Sequence, residues 1–189
     1  RETVELVKRI IQDASIPMVL DADALNALAG EVHRLKALST PTIITPHPGE
    51  FTRLTGAHTS KVLSNPLGAA QELAKAVGVT VVLKGAPTVV ATPEGEGFVN
   101  PSGNVGMATG GSGDVLAGLL AALIGQGLEV AHAACLGVYL HGLAGDLAAE
   151  SQAGLIAGDI VAALPEAEQQ VRNAEDQHRY LHLYSDIRQ

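Results

Sequence analysis

Short apolar runs alternate with longer segments of helical periodicity along most of this chain. Apolar residues recur at helical spacing over 2–12, and similar patterns predict helices over 22–28 and from Asn65, as the N-cap residue, to about residue 77. Strands are predicted for the aliphatic and β-branched runs 18–20, 42–45 and 79–83. Strands that alternate with helices indicate an α/β fold whose central sheet is mostly parallel and covered by helices on both faces.

The rest of the pattern predicts a hairpin and then helices. Residues 88–91 and 97–100 are apolar and flank Pro93-Glu-Gly95-Glu, which is typical of a hairpin turn. Helices are predicted over 115–125, over 129 to about 150, and from 159 onward. The stretch 172–189 contains no glycine and many charges. We therefore expect one domain over 1–171, followed by a helical extension or loose tail over 172–189.

Polar clusters follow the three predicted strands. Asp21 and Asp23 come after the first strand, Thr45-Pro-His-Pro-Gly-Glu50 after the second, and Lys84-Gly-Ala-Pro-Thr88 after the third. The carboxyl ends of parallel strands lie at one edge of a sheet, and ligands of α/β proteins bind there. The sequence therefore predicts that these clusters meet at one edge.

The segment Gly110-Gly-Ser-Gly-Asp114 is the most specific motif of the chain. Three glycines within four positions allow successive backbone N–H groups to point into one concavity, which favours phosphate binding. A helix starting directly after the motif would add its positive N-terminal end. The alternative is that Asp114 only caps that helix, although a cap does not explain so many glycines.

Several other polar residues allow two interpretations. His47, between two prolines, could be presented to a substrate by a stiff loop or could hydrogen-bond the backbone of a structural turn. Lys84 could reach a phosphate or be a solvated lysine at a strand end. Asp21 is left open between ligand binding and capping, whereas Asp23 is interpreted as a cap. The remaining acidic and histidine residues are interpreted as structural or solvated: Asp146, Glu150, His132, His141, His178 and His182.

Charge and composition exclude some classes of protein. Lys and Arg total 12 against 20 Asp and Glu, a formal net charge of -8, which disfavours nucleic-acid binding. No stretch is long and apolar enough for a membrane span, and the single cysteine, Cys135, in apolar surroundings, is typical of a buried thiol in a reducing compartment. We therefore expect a cytoplasmic protein without a membrane or nucleic-acid partner.

Four segments in this order resemble the ADP/ATP-dependent NAD(P)H-hydrate dehydratases. They are 19–26, Thr45-Pro-His-Pro-Gly-Glu50, Leu83-Lys-Gly-Ala-Pro-Thr88 and 108–118, and the resemblance extends from residue 1 to about residue 168. The resemblance implies a ribokinase-like three-layer αβα sandwich. Family members begin upstream with further strands and a glycine-rich loop, so it also implies that the N-terminal part of the domain is absent from this chain.

The resemblance further implies an activity and a set of site residues. The activity is dehydration of hydrated NADH and NADPH back to NAD(P)H, with ADP or ATP as phosphoryl donor and Mg²⁺ accompanying the phosphates, and no metal held by the protein itself. Asp114 is implied as the catalytic carboxylate, and His47, Asn104 and Asp114 as contacts of the hydrated dinucleotide. The residues implied in nucleotide binding are Lys84, Gly85, Ala86, Pro87, Thr88, Gly110, Gly111, Ser112 and Gly113.

Two alternative functions stay open at this point. The glycine-rich motif also fits a ribokinase-superfamily kinase of a vitamin precursor or sugar-like alcohol, whereas Thr45-Pro-His-Pro-Gly-Glu50 favours the dehydratase. A non-catalytic nucleotide-binding subunit is the other alternative. Helices rich in Ala and Gly, together with a sheet that lacks strands, leave apolar surface to cover, so we expect a homo-oligomer such as a tetramer.

Overall fold

The computed structural model describes residues 2–151 and 154–173. The chain folds into two compact units, of which the first comprises residues 1–99 and the second begins at Asn100. Each unit contains its own group of buried apolar side chains.

The first unit contains five strands and five α-helices. In chain order they are α1 Glu2–Asp13, β1 Met18–Leu20, α2 Ala22–Ala27, β2 Thr42–Ile44, α3 Pro48–Thr55, α4 Thr59–Ser64, α5 Pro66–Val77, β3 Thr80–Leu83, β4 Val89–Ala91 and β5 Gly97–Val99. A 3₁₀ helix, Val32–Ala37, lies between α2 and β2.

The strands form one mixed sheet in the order β1-β2-β3-β4-β5. The pairs β1–β2 and β2–β3 are parallel, whereas β3–β4 and β4–β5 are antiparallel. Successive residues Ile43 and Ile44 of β2 are both fully buried, because a parallel strand inside an α/β unit is covered on both faces. The α/β prediction and the predicted hairpin are thereby confirmed.

Helix α5 shows how local signals in the sequence place one element. The side chain of Asn65 accepts a hydrogen bond from the backbone N–H of Gly68, and Pro66 is the first helical residue, as predicted. Gly78 ends the helix in the left-handed conformation, with φ of 73°. The buried face of α5, which includes Leu73 and Val77, packs against β3 and β4.

The second unit is helical over the residues that the structure describes. Its helices are α6 Ser112–Gly125, α7 Val130–Ser151 and α8 Ala157–Asn173, and a 3₁₀ helix, Val105–Met107, precedes them. Helix α7 packs against both α6 and α8, and fully buried Leu136 and Ile160 belong to the shared core. Cys135 is half-buried, which corrects the expectation of a buried thiol.

Two helix starts differ from the prediction by more than one residue, and helices α3 and α4 were not predicted. Helix α6 begins at Ser112 rather than Val115, and α8 begins at Ala157 rather than at residue 159. The segment after Thr45 was predicted as a loop because of its two prolines, but Pro48 is the first residue of α3, where its missing N–H costs no helical hydrogen bond.

The C-terminal stretch is only partly described. Helix α8 extends to Asn173, so the predicted boundary between a domain over 1–171 and an extension over 172–189 stays a prediction. Residues 174–189, which include His178 and His182, lie outside the described residues.

Candidate functional site

The three polar clusters at the strand ends meet, as the sequence predicted. The ammonium Nζ of Lys84, after β3, lies 2.7 Å from Oδ1 of Asp21, after β1, and 3.7 Å from Oε2 of Glu50, after β2. Backbone bonds extend the sheet to this edge: Thr45 N–H donates to the Leu20 carbonyl at 3.0 Å, and Lys84 N–H donates to the Pro46 carbonyl at 2.8 Å. Parallel pairing in register brings residues far apart in sequence to this one place.

Lys84 is paired and largely covered. Its side chain is 22% exposed, that of Asp21 is 12% exposed and that of Glu50 is 7% exposed. The interpretation of Lys84 as a solvated lysine at a strand end is therefore wrong. Two carboxylates surround one ammonium, so the cluster of Asp21, Glu50 and Lys84 carries a net negative charge when all three are ionised.

The position of Asp21 resolves a question that the sequence left open. Asp21 precedes the first residue of α2, but its side chain makes no capping hydrogen bond and binds Lys84 instead. The next residue, Ala22, has φ of 45°, a conformation that a residue with a Cβ adopts only at a cost. Asp23 lies inside the first turn of α2, so its interpretation as the cap is wrong.

His47 caps α3. Its Nδ1 accepts hydrogen bonds from the backbone N–H groups of Gly49 at 2.9 Å and Glu50 at 3.3 Å, and the Glu50 carboxylate accepts the His47 backbone N–H at 2.8 Å. This reciprocal arrangement is a capping box with an imidazole in the usual place of a hydroxyl. His47 therefore has the structural role that was one of its two interpretations. Its side chain is nevertheless 49% exposed, with Nε2 at 3.6 Å from Oε1 of Glu50.

The predicted nucleotide segment after β3 forms a small turn. The Thr88 hydroxyl donates to the Gly85 carbonyl at 3.1 Å and accepts from the Gly85 N–H at 3.3 Å. Gly85, Ala86 and Pro87 are exposed and Lys84 and Thr88 are half-buried. This turn holds the backbone of Gly85 open to solvent directly beside Lys84.

The glycine-rich motif in the second unit forms the start of α6. Gly111 stands at the N-cap in the left-handed conformation, with φ of 87°, and provides no side-chain cap. Asp114 is the third helical residue and is exposed, so the alternative that it serves as the N-cap is wrong. Within the described part of the chain, no backbone hydrogen bond engages the N–H groups of Gly113 and Asp114. These free donors at a helix N-terminus are suited to an anion.

Asn104 uses its amide within the second unit. Its Nδ2 donates to the Gly145 carbonyl at 3.0 Å and to Oδ1 of Asp146 at 2.9 Å, and its Oδ1 accepts the Gly106 N–H at 2.9 Å. Oδ2 of Asp146 also accepts the Gly103 N–H at 2.8 Å. The interpretation of Asp146 as a solvated residue is therefore wrong, whereas Glu150 is exposed as expected.

His141 was interpreted as structural, and the structure places it against the glycine-rich motif. It lies on α7 and is 9% exposed, and its Nε2 is 3.0 Å from the carbonyl oxygen of Ser112. Burial lowers the pKa of His141, although the hydrogen bond to the Ser112 carbonyl acts in the opposite direction. Because 29 residues separate the two, no local pattern in the sequence indicates the contact.

The described residues contain neither a cluster of metal ligands nor a membrane-spanning helix. No group of three or more His, Cys, Asp and Glu side chains there is arranged to hold a metal ion. Within the same part of the chain, no helix combines the length and apolar character needed to cross a bilayer.

Comparison with known proteins relates these motifs to enzymes of nicotinamide-nucleotide repair. The family model described as NAD(P)H-hydrate dehydratase matches residues 1–166. A bifunctional NAD(P)H-hydrate repair enzyme of Moorella thermoacetica is 47% identical over 177 residues, which are 93% of this chain and 33% of that protein. An ADP-dependent (S)-NAD(P)H-hydrate dehydratase of Neisseria meningitidis serogroup B is 47% identical over 78% of this chain and 51% of its own length. The chain thus spans about a third to a half of these relatives.

Solved structures agree on the fold. The ADP/ATP-dependent NAD(P)H-hydrate dehydratase of Bacillus subtilis, co-crystallised with ATP and Mg²⁺, matches with a TM-score of 0.79 and 33% identity over 90% of this chain and 60% of that one. A ribokinase-like superfamily protein of Enterococcus faecalis matches with a TM-score of 0.74 and 29% identity over 88% of this chain and 58% of its own. The predicted ribokinase-like fold is confirmed, and the chain belongs to the NAD(P)H-hydrate dehydratase family.

Proposed function

We propose that this chain carries out the nucleotide-dependent dehydration of hydrated NADH and NADPH, which restores the reduced cofactor. Membership of the dehydratase family supports the proposal. The observation that carries it is the start of α6, where exposed Asp114 stands beside the free N–H groups of Gly113 and Asp114. A carboxylate and a set of anion-binding donors at one helix end fit a phosphoryl transfer to a hydroxyl group.

The chemistry that we assign to Asp114 is general-base catalysis. The carboxylate takes the proton of the ring hydroxyl while the hydroxyl oxygen forms a bond to the terminal phosphorus of the nucleotide, and the bond from that phosphorus to the bridging oxygen breaks. The ring then loses phosphate together with a proton from the neighbouring carbon, and the double bond is restored. Hydroxide leaves poorly and phosphate leaves well, which is why the nucleotide is needed.

The helix end suits this step electrostatically. The positive end of α6 stabilises negative charge on the transferring group and also favours the ionised form of Asp114. Asp114 therefore acts through its placement rather than through high basicity. Gly110, Gly111, Ser112 and Gly113 form the phosphate-binding turn in this proposal, with Gly111 supplying the left-handed conformation. The Ser112 N–H donates to the Thr109 carbonyl at 3.3 Å, so Ser112 shapes the turn, and the N–H groups of Gly113 and Asp114 are the donors left for phosphate.

The remaining site residues receive binding roles. Lys84, Gly85, Ala86, Pro87 and Thr88 contact the nucleotide, and the exposed turn at Gly85 lets a ligand approach the backbone. His47, whose side chain is 49% exposed, and Asn104 contact the hydrated dinucleotide.

We propose ADP or ATP as the phosphoryl donor, with Mg²⁺ held mainly by phosphate oxygens and water, since Mg²⁺ gives up its water reluctantly. A cytoplasmic location and self-association into a homo-oligomer stay predictions.

Recovery of the NADH absorbance band tests the proposal. The chain is mixed with chemically hydrated NADH, Mg²⁺ and either ADP or ATP, alongside Asp114→Asn and the control Asp23→Asn. Asp23 is also an exposed first-turn aspartate, but of α2, so it matches Asp114 in charge and local setting. We expect recovery that requires nucleotide, persists in Asp23→Asn and is lost in Asp114→Asn.

Two other results would contradict the proposal. Transfer of label from the nucleotide to a stable phosphorylated alcohol, without recovery of NADH, would identify a kinase. Nucleotide binding without turnover, unchanged in Asp114→Asn, would identify a binding subunit.

A further inference from the structure

The turn that leads into α6 lacks fixation by its own side chains. Gly111 supplies no capping group, and the space where a Cβ of Gly110 would stand contains no atom within 4 Å. A site that stabilises a transferring phosphoryl group needs its donors held in place before the ligand arrives. Backbone hydrogen bonds close the turn, from the Ser112 N–H to the Thr109 carbonyl at 3.3 Å and from the Val115 N–H to the Gly111 carbonyl at 3.1 Å. Any side chain that fixes the turn further comes from another part of the second unit.

His141 contacts the turn at its central residue. Its Nε2 lies 3.0 Å from the backbone carbonyl oxygen of Ser112 and 3.4 Å from the Ser112 hydroxyl. Both residues are buried, His141 at 9% and Ser112 at 8% exposure. Ser112 directly precedes Gly113 and Asp114, so fixing its carbonyl fixes the peptide plane that carries the Gly113 N–H.

The partner atom determines the protonation of the imidazole. A carbonyl oxygen only accepts hydrogen bonds, so Nε2 carries the hydrogen and donates it. In the neutral ring Nδ1 is then unprotonated. The lowered pKa of His141, caused by burial, keeps the ring neutral at neutral pH.

We propose that His141 is a positioning residue for the anion-binding turn: its Nε2–H holds the Ser112 carbonyl and thereby orients the N–H groups of Gly113 and Asp114. This inference rests on the proposed function, because it takes the turn as the phosphate-binding part of the site. His141 itself is covered by its surroundings and touches neither substrate nor nucleotide.

Three substitutions separate positioning from simple filling of space. The amide nitrogen of Gln reaches about as far as Nε2, whereas that of Asn reaches only about as far as Nδ1, and Leu has no donor. His141→Gln should therefore preserve the contact, and His141→Asn and His141→Leu should lose it. His132→Gln is the matched control, because His132 is exposed on the same helix.

Turnover of hydrated NADH and binding of ADP are measured for each variant, with thermal unfolding as the measure of stability. We expect kcat of His141→Gln and His132→Gln to stay within about threefold of the parent, and kcat of His141→Asn and His141→Leu to fall about tenfold or more, since small displacements of catalytic groups have effects of this size. If His141→Leu does not fold, the difference in kcat between His141→Gln and His141→Asn tests the inference.

The inference is overturned if His141→Asn, or a folded His141→Leu, keeps the parental kcat. It is also overturned if kcat of His141→Gln falls as far as that of His141→Asn. If the parent binds ADP but does not dehydrate the substrate, the proposed function fails, and the dissociation constants of ADP take the place of kcat. Positioning by His141 is then supported if ADP binds about tenfold more weakly to His141→Asn and His141→Leu but not to the other variants. Equal ADP binding by all variants overturns it. A parent that binds no ADP overturns both proposals.

Discussion

The Nζ atom of Lys84 lies 2.7 Å from Oδ1 of Asp21, although 63 residues separate them in the chain. The pair lies where parallel strands β1 and β3 end on either side of β2, and the buried carboxylate of Glu50 lies 3.7 Å from the same ammonium. These ion pairs therefore fix the Lys84 ammonium before any ligand binds. Asp21 stands at the N-cap position of α2, but its side chain makes no capping hydrogen bond.

Replacing Asp21 with Asn should destabilise the first unit. The ammonium of Lys84 loses its charged partner in a place where solvent replaces it poorly, so we expect the free energy of unfolding to fall by about 1–3 kcal/mol. Urea denaturation measures the change. Asp23→Asn removes the same charge two residues away at an exposed site and should change stability by less than about 0.5 kcal/mol. If Asp21→Asn and Asp23→Asn lowered the free energy of unfolding equally, the contact between Asp21 and Lys84 would not stabilise the protein specifically.

Gly142→Ala should disrupt the packing of Ser102 against α7. A Cβ at Gly142 would stand 2.8 Å from the carbonyl carbon of Ser102 and 2.9 Å from its carbonyl oxygen, and a backbone cannot yield as the end of a side chain can. We expect a loss of about 1–3 kcal/mol in unfolding free energy, because overpacking forces the backbone to shift.

Gly118→Ala is the matched control for that substitution. Gly118 is also a helical glycine, on α6, but apart from neighbouring backbone of the same helix no atom lies within 4 Å of its Cβ position. Alanine there should stabilise the protein by about 0.5–1 kcal/mol, since it restricts the unfolded chain and favours the helix. Thermal unfolding of both variants should give shifts of opposite sign, and a stabilised Gly142→Ala would contradict the packing of Ser102 against α7.

Removal of the Asp146 carboxylate should loosen the loop around Asn104. In Asp146→Ala the Gly103 N–H loses its acceptor, and the Asn104 Nδ2 loses one of its two acceptors. We therefore expect the free energy of unfolding to fall by about 1–3 kcal/mol. Amide hydrogen exchange of Gly103 should become faster. Glu150→Ala, one turn later on α7 and exposed, should leave that exchange rate unchanged. Unaltered protection of Gly103 in Asp146→Ala would refute the role assigned to the carboxylate.

His141 should make stability depend on pH in a defined window. Burial lowers its pKa below the ordinary value of 6.5, so between these two values the unfolded chain binds more protons than the folded one. The free energy of unfolding then rises with pH across the window, and acidification below about pH 6.5 destabilises the protein. His141→Gln should flatten this part of the profile measured by urea denaturation. If the unfolding free energy of His141→Gln depended on pH as steeply as that of the parent, another group would be responsible for the pH dependence.

The pH scan should stop above about pH 5. Glu31 accepts hydrogen bonds from Lys8 and Arg34, which hold the pKa of its carboxyl below the ordinary value of 4.5. Its stabilising contribution is complete above that ordinary value and is lost only as pH falls through the lowered one. Above about pH 5, titration of Glu31 therefore adds no slope to the profile.

The predictions that proved correct rest on local signals or on a rule that follows from one fold class. Periodicity and β-branched runs placed β1, β2 and β3 to within a residue or two, and Asn65 with Pro66 marked the start of α5. Parallel strands necessarily bring their carboxyl ends together, so the meeting of Asp21, Glu50 and Lys84 followed from the alternation of strands and helices alone. The family could likewise be recognised from motifs in order.

Local ambiguity explains the boundaries that were wrong. Prolines on both sides of His47 indicate a loop equally well as a helix start, and only the reciprocal bonds with Glu50 select the helix. Asp114 has the chemistry of a cap, yet the left-handed glycine at 111 takes that position and leaves the carboxylate exposed inside the first turn.

By itself, the sequence determined most of the elements, though not α3 and α4, together with the α/β class, the family and the strand-end cluster. Each of these depends on neighbouring residues or on a periodicity that a single chain displays. Only the tertiary structure decided which partner each polar group takes. Asp21 binds Lys84 rather than capping α2, Asp146 binds Asn104 and Gly103, and His141 holds Ser112 from a different helix. These choices depend on distances of a few ångströms between residues 29 to 63 positions apart, which no local pattern specifies.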